Sequence, residues 1–142
     1  MIILDTNVLS ETLRPAPAVH ALTWLGAQPR AALFTTTITR GELFYGVRLL
    51  QEGQRKELLL NAVQAIFDID MAGQVLSFDS DAADAYAEIA ASRKAAGRPI
   101  SQFDAMIAAI ASSRGASLAT RNVKDFVDCG INVIDPWNTT LP

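Results

Sequence analysis

With 142 residues, half of them apolar, the chain has the length of one compact unit with a real core, so residues 1–142 are expected to form a single domain. The net charge of −3 argues against a protein that coats nucleic acid through a basic surface but does not exclude a nuclease, since acids gathered around a cation lower the count in the same way. A lone cysteine, Cys129, rules out an intrachain disulfide, and a lone histidine, His20, rules out a zinc site of several His and Cys ligands, leaving carboxylate oxygens as the plentiful ligands.

The first apolar run, Ile2-Ile3-Leu4, is too short for a helix, is rich in β-branched residues and reads as a buried strand ending at Asp5. Helices are expected over 8–13 and 17–27, each stopped by a following proline, Pro15 and Pro29. Ala18 to Leu25 is amphipathic, so His20 reads as an ordinary helix residue and not as a catalytic base. A second strand is expected at 33–36. A helical hairpin over 39–51 and 54–67 follows, parted by Gly53; on it Phe44, Leu49 and Leu58 are expected to serve core packing, with a partner interface as the other use. Strand 75–78 leads into a helix over 81–95 closed by Gly97, then an Ala-rich helix over 101–114 capped by Gly115. Strand 117–120, a short helix over 123–127 and strand 132–134 complete the chain. No apolar run of about 18 residues is present, and no basic-then-apolar leader precedes Ile2, so a cytoplasmic protein without membrane contact is expected.

Alternating short apolar strands and helices imply an α/β fold, a three-layer α/β/α sandwich with a mainly parallel central sheet. In such sheets sites form at the carboxyl ends of strands. Asp5 closes the first strand, Glu42 opens the helix after the second, Asp104 opens the Ala-rich helix, and Thr120-Arg121-Asn122 closes the fourth strand. Mg²⁺ and Mn²⁺ take oxygen ligands, and these must come from separate elements because neighbours on one strand point apart. Each acid also has a structural reading. Thr39-Arg40-Gly41-Glu42, Ser101-Gln102-Phe103-Asp104 and Asn122-Val123-Lys124-Asp125 all match the capping-box pattern, and Asp5 can serve a turn. Capping alone does not explain acids gathered after two strands and before a third.

Four segments in order resemble the PIN-domain ribonucleases, and more closely the VapC and FitB toxins of bacterial toxin–antitoxin pairs: Ile3-Leu4-Asp5-Thr6-Asn7-Val8-Leu9-Ser10, Ile38-Thr39-Arg40-Gly41-Glu42-Leu43-Phe44-Tyr45-Gly46-Val47, Phe103-Asp104-Ala105-Met106-Ile107-Ala108-Ala109, and Ala119-Thr120-Arg121-Asn122-Val123-Lys124-Asp125-Phe126. The resemblance implies a Mg²⁺- or Mn²⁺-dependent endoribonuclease with Asp5, Glu42 and Asp104 as catalytic, metal-binding acids. Thr6, Asn7, Thr120 and Asn122 would support them. Many relatives carry a fourth acid where Asn122 stands, so Asn122 reaches a metal at most through water, and Asp125 reads as a cap. It also implies a cognate antitoxin, whose basic or apolar tail fills the acidic groove, and a homodimer. Arg121 and Arg98, with Arg93 and Lys94, are candidate contacts to the RNA backbone, against a solvated surface as the plainer reading. Two other readings compete. A phosphoaspartate hydrolase wants an acid where Asn7 stands, and a PIN-like binding module would act with its antitoxin in a DNA-binding repressor complex without cutting.

Overall fold

The computed structural model describes residues 1–140, and its centre is a five-stranded sheet in which every pairing is parallel, in the order β3-β2-β1-β4-β5. The strands are β1 Ile2–Leu4, β2 Leu33–Thr36, β3 Val75–Leu76, β4 Ser117–Ala119 and β5 Val133–Ile134. The helices are α1 Thr6–Glu11, α2 Val19–Ala27, α3 Thr37–Arg48, α4 Gln54–Ala65, α5 Ser80–Ala95 and α6 Gln102–Arg114. The three-layer sandwich expected from the sequence is the one observed.

Each strand alternates its side chains between two cores, as the two-residue period of a strand requires. Ile3 and Leu118 face the core built with α5 and α6, while their neighbours Leu4 and Ala119 face the core built with α1 to α4. The chain runs outward from β1 to β2 to β3 through α1–α4 on one face, then returns across the other face through α5 and α6 to β4. β1 therefore lies between β2 and β4, at the point where the winding reverses. This is where a parallel sheet opens a crevice at its carboxyl edge.

Helix starts differ from the expected ones for identifiable reasons. α1 begins at Thr6, not Val8, because Asp5 has an extended backbone and its Oδ1 accepts the Thr6 N–H at 2.8 Å. α3 begins at Thr37, not Thr39, because the hydroxyl of Thr36 accepts the Thr39 N–H at 3.1 Å. Thr39 is thus inside the helix, and the capping reading of Glu42 fails. Ser101 does cap α6, accepting the Asp104 N–H at 3.2 Å, so that reading holds for the serine. The Asn122 box does not form. Val123–Phe126 is a 3₁₀ turn without a side-chain cap. β3 ends two residues early, and α4 passes into a π turn over Ile66–Asp70.

Leu49 and Leu58 are exposed rather than packed, whereas Phe44 turns inward, its ring centroid 6.0 Å from that of Phe67. Cys129 is buried. His20 sits on α2 with its Nε2 2.6 Å from the Thr139 carbonyl oxygen, tying the C-terminal segment down.

α6 is buried almost all round: Ala105, Ile107, Ala108, Ala109, Ile110 and Ala111 are in the core. Its alanines let the helix approach both α5 and the sheet, and α5 and α6 form the most extensive helix pair of the fold. Extra methylene groups there must displace neighbours in a densely packed interior. Ala109→Leu is expected to lower stability by about 1–3 kcal/mol, read as a shift in the urea midpoint; an unchanged midpoint would show that this interface has slack.

Candidate active site

Asp5 is only 4% exposed, at the carboxyl end of β1 beside β4, where its own N–H donates to the Ala119 carbonyl at 2.9 Å. Its Oδ1 is taken by the Thr6 N–H, and its Oδ2 accepts the Thr120 hydroxyl at 2.7 Å. Thr120 is fully used: while donating to Asp5, its Oγ1 accepts the Asn7 side-chain amide and the Asn122 N–H, both at 3.1 Å. Asn7 in turn accepts the Arg121 N–H on its Oδ1 at 3.2 Å. The motif after β1 and the motif after β4 are thereby laced together by neutral hydrogen bonds.

Glu42 reaches the same place from α3. Its Oε1 accepts the Thr6 hydroxyl at 2.8 Å, and the Thr39 hydroxyl stands 3.1 Å from that of Thr6. A hydroxyl has one proton, so with Thr6 committed to Glu42 it is Thr39 that donates to Thr6, and Thr36, 3.4 Å away, donates to Thr39. Three threonines form a one-way chain of hydroxyls ending on the carboxylate, which strengthens each link. Sequence reasoning singled out Thr6 and missed Thr39 and Thr36 in this role. The signal was the run Thr35-Thr36-Thr37-Ile38-Thr39 directly after an apolar strand.

Asp104, in the first turn of α6, is half-buried and lines a recess of about 190 Å³ with Ser101, Arg93 and Asp125. The three acids are close enough to feel one another. Burial drives the Asp5 pKa up from 3.8 to about 6; the Thr120 and Thr6 hydrogen bonds offset part of that rise, and the charges of Asp104 and Glu42 add to it. Glu42 is raised by burial, partly countered by Thr6 and reinforced by Asp104. Asp104 is raised by burial, with Ser101 and Arg93 pulling it back and Asp125 pushing it up.

No ion pair among the described residues engages Asp5, Glu42 or Asp104. Nor do any three Asp, Glu, His or Cys side chains among them stand near enough to close round one ion by themselves. The donor set still suits Mg²⁺ or Mn²⁺, since a hard octahedral cation keeps several waters and needs only one or two protein carboxylates. It is all oxygen, partly desolvated and mutually repelling, and none of the three acids forms an ion pair among the described residues.

The basic residues fall into three different settings. Arg93 is only 6% exposed and is no surface residue: its Nε donates to the Arg98 carbonyl at 2.7 Å, and its Nη1 to the carbonyls of Asp125 and Val127 at 3.0 and 2.9 Å. It clamps the segment after β4 against α5. Arg98 is exposed and paired with Asp128, and Lys94 is exposed. Arg121 is exposed with its guanidinium lying over the Trp137 ring, 5.1 Å from the centroid. Asn122 is exposed and caps nothing with its side chain. A groove of about 470 Å³ leads from Thr6 and Glu42, between α1 and the α3–α4 pair, along Leu13, Val47 and Leu59 to Arg14 and Arg55.

A buried carboxyl whose pKa is raised binds its proton in the folded chain at pH values where the unfolded chain has released it. Asp5's contribution to the stability of the metal-free protein is therefore lost as pH rises from about 4 to about 6, on the order of 3 kcal/mol. Asp5→Asn removes this penalty and keeps the Thr6 cap. In the presence of a chelator it is expected to melt above the native chain at pH 8, with the difference closing by pH 4. A variant less stable than native across that whole range would contradict the burial argument.

A PIN domain model matches residues 2–129. The plasmid stability protein StbB of Pseudomonas syringae pv. tomato is 43% identical over 96% of this chain and 99% of its own length. VapC ribonuclease Y4jK of Sinorhizobium fredii is 37% identical over 96% of this chain and 98% of its own. Among solved structures, FitAcB from Neisseria gonorrhoeae superposes with a TM-score of 0.92 at 36% identity, covering 98% of this chain and all of that one. With the parallel sheet, the acids at its carboxyl edge and this full-length similarity together, the chain belongs to the PIN-domain family, alongside the VapC and FitB proteins.

Proposed function

We propose that the chain is an endoribonuclease, the toxin of a toxin–antitoxin pair, that hydrolyses RNA phosphodiester bonds with Mg²⁺ or Mn²⁺. The observation that carries this reading is a buried, uncompensated Asp5 held rigid by Thr6 and Thr120 while the charges of Glu42 and Asp104 bear on it. Three acids kept close without ion-pair partners repel one another, and a divalent cation held between them would relieve that repulsion. Asp5 and Asp104 would hold the ion, directly or through water, with Glu42 completing the set and Asn122 reached through water. Bound there, the cation supplies Lewis acidity, which lowers the pKa of water and neutralises charge developing on the phosphate.

The chain's own residues do the rest. Thr6 and Thr120 fix the carboxylate planes, so that Asp5 and Glu42 need not reorganise during the reaction. The Thr6 bond engages Oε1 of Glu42 and leaves the other oxygen uncommitted by any protein hydrogen bond among the described residues. Glu42, its pKa raised by burial and its second oxygen free, is placed to accept a proton from the attacking water. Arg121, its guanidinium over the Trp137 ring and next to the Asn7–Thr120 network, is placed to meet the RNA backbone.

An antitoxin fits the groove beside Glu42, whose apolar walls and acidic end suit a tail with apolar anchors and a basic residue. No helix in the structure is long and apolar enough to cross a membrane.

Purified Asp5→Asn and Asp104→Asn proteins are expected to lose Mg²⁺-dependent cleavage of RNA by about 100-fold or more while keeping native circular dichroism. Chelation should silence the native protein and added Mn²⁺ restore it. Undiminished turnover by both folded variants would exclude the assignment, and metal binding without any cleavage would point to a binding module. Co-expression with the neighbouring small gene is expected to yield a complex that cleaves nothing; a free, active chain from that co-expression would remove the antitoxin from the account.

A further inference from the structure

The chain has ten aromatic residues, and only two of them are exposed: Tyr45, at 67%, and Phe103, at 53%. Neither packs on a hydrophobic core or pairs with another ring among the described residues. Both adjoin the acids of the site. Phe103 immediately precedes Asp104 in the first turn of α6. Tyr45 lies three residues after Glu42 on α3, the spacing that makes two side chains surface neighbours. Helical side chains lean toward the helix N-terminus, so Tyr45 leans back along α3 toward Glu42. α3 and α6 touch each other, which sets one free ring beside each of two adjoining acids.

Single exposed apolar side chains are ordinary on a protein surface, but two free rings that both adjoin the acids of one site offer a paired contact surface. The other exposed apolar side chains, such as Leu49, Leu58 and Ile69, are aliphatic. Aromatic faces beside phosphate-directed acids fit unpaired nucleobases, which stack on Phe and Tyr without regard to sequence.

We propose that Tyr45 and Phe103 are stacking residues that receive the unpaired bases flanking the phosphate presented to Glu42 and Asp104. This rests on the ribonuclease reading for the identity of the polymer, and its test is arranged to fail separately. Binding of a labelled ten-nucleotide RNA, single-stranded or annealed to its complement, is measured by anisotropy in chelator, and cleavage is measured separately in Mg²⁺.

Tyr45→Ala and Phe103→Ala are each expected to weaken single-strand binding by about 5-fold or more and to raise KM for cleavage more than they lower kcat. Phe103→Trp should restore binding, whereas Phe103→Leu, apolar but without a π face, should not. Leu49→Ser, at the exposed C-terminal cap of α3, should leave RNA binding as it was. Native affinity in both alanine variants overturns the proposal, as does an equal loss in Leu49→Ser. Native RNA binding combined with dissociation of an oligomer in sedimentation also overturns it, assigning the rings to a second copy of the chain. If the native chain binds the single strand and the alanine variants lose it, yet nothing is cleaved, the stacking assignment stands and the nuclease reading falls. If the native chain cleaves and the variants match it, the reverse holds.

Discussion

The structure is organised around a carboxylate that water cannot reach freely. Asp5 sits at the reversal point of the sheet, where β1 is flanked by β2 and β4, and the same side chain starts α1, receives the hydroxyl of Thr120 and carries the electrostatic load of the site. A buried acid with no basic partner strongly favours its protonated form or a bound cation. Evolution of a neighbouring lysine or arginine would relieve the strain and fill the place of the ion. The neutral donors around Asp5 hold its geometry while leaving its charge uncompensated, which suits the carboxylate to a cation.

The same logic explains which polar residues surround the acids. Threonines and Asn7 supply single, directed hydrogen bonds without adding charge, so the carboxylates can be oriented without being neutralised. An acid in place of Asn7 would lose the donor to Thr120 and put another negative charge beside Asp5, which is a physical reason why the phosphoaspartate pattern does not suit this edge. The positive charge nearest Asp104 is held back. Arg93 spends its guanidinium on backbone carbonyls of the segment after β4, steadying Asp125 and softening the repulsion on Asp104 without forming an ion pair with it.

Much of the architecture could be read along the chain. Ile2–Leu4 and Leu33–Thr36 appear where apolar, β-branched runs meet polar residues, and the Gly115 stop after α6 follows from its left-handed backbone, φ 62°. Local pattern misled at the caps. Thr39 and Glu42 have the spacing of a capping box, but Thr36 sits at the true boundary, and a competing hydroxyl three residues upstream leaves no local trace of which one wins. Arg93 and Arg98 look alike in sequence, close together near a glycine turn, yet one is buried and the other paired at the surface.

The sequence by itself determined the order of strands and helices along the chain and the family to which its motifs belong, and it singled out the three candidate acids, because those depend on periodicity and spacing over a few residues. Only the tertiary structure decided which groups meet. The Thr120–Asp5 bond joins residues 115 apart, and the Thr6–Glu42 bond residues 36 apart. The burial that raises three carboxyl groups, the inward turn of Arg93 and the outward turn of Tyr45 and Phe103 arise from how layers pack. No window of neighbouring residues contains that information, since desolvation is a property of everything that surrounds a group in space.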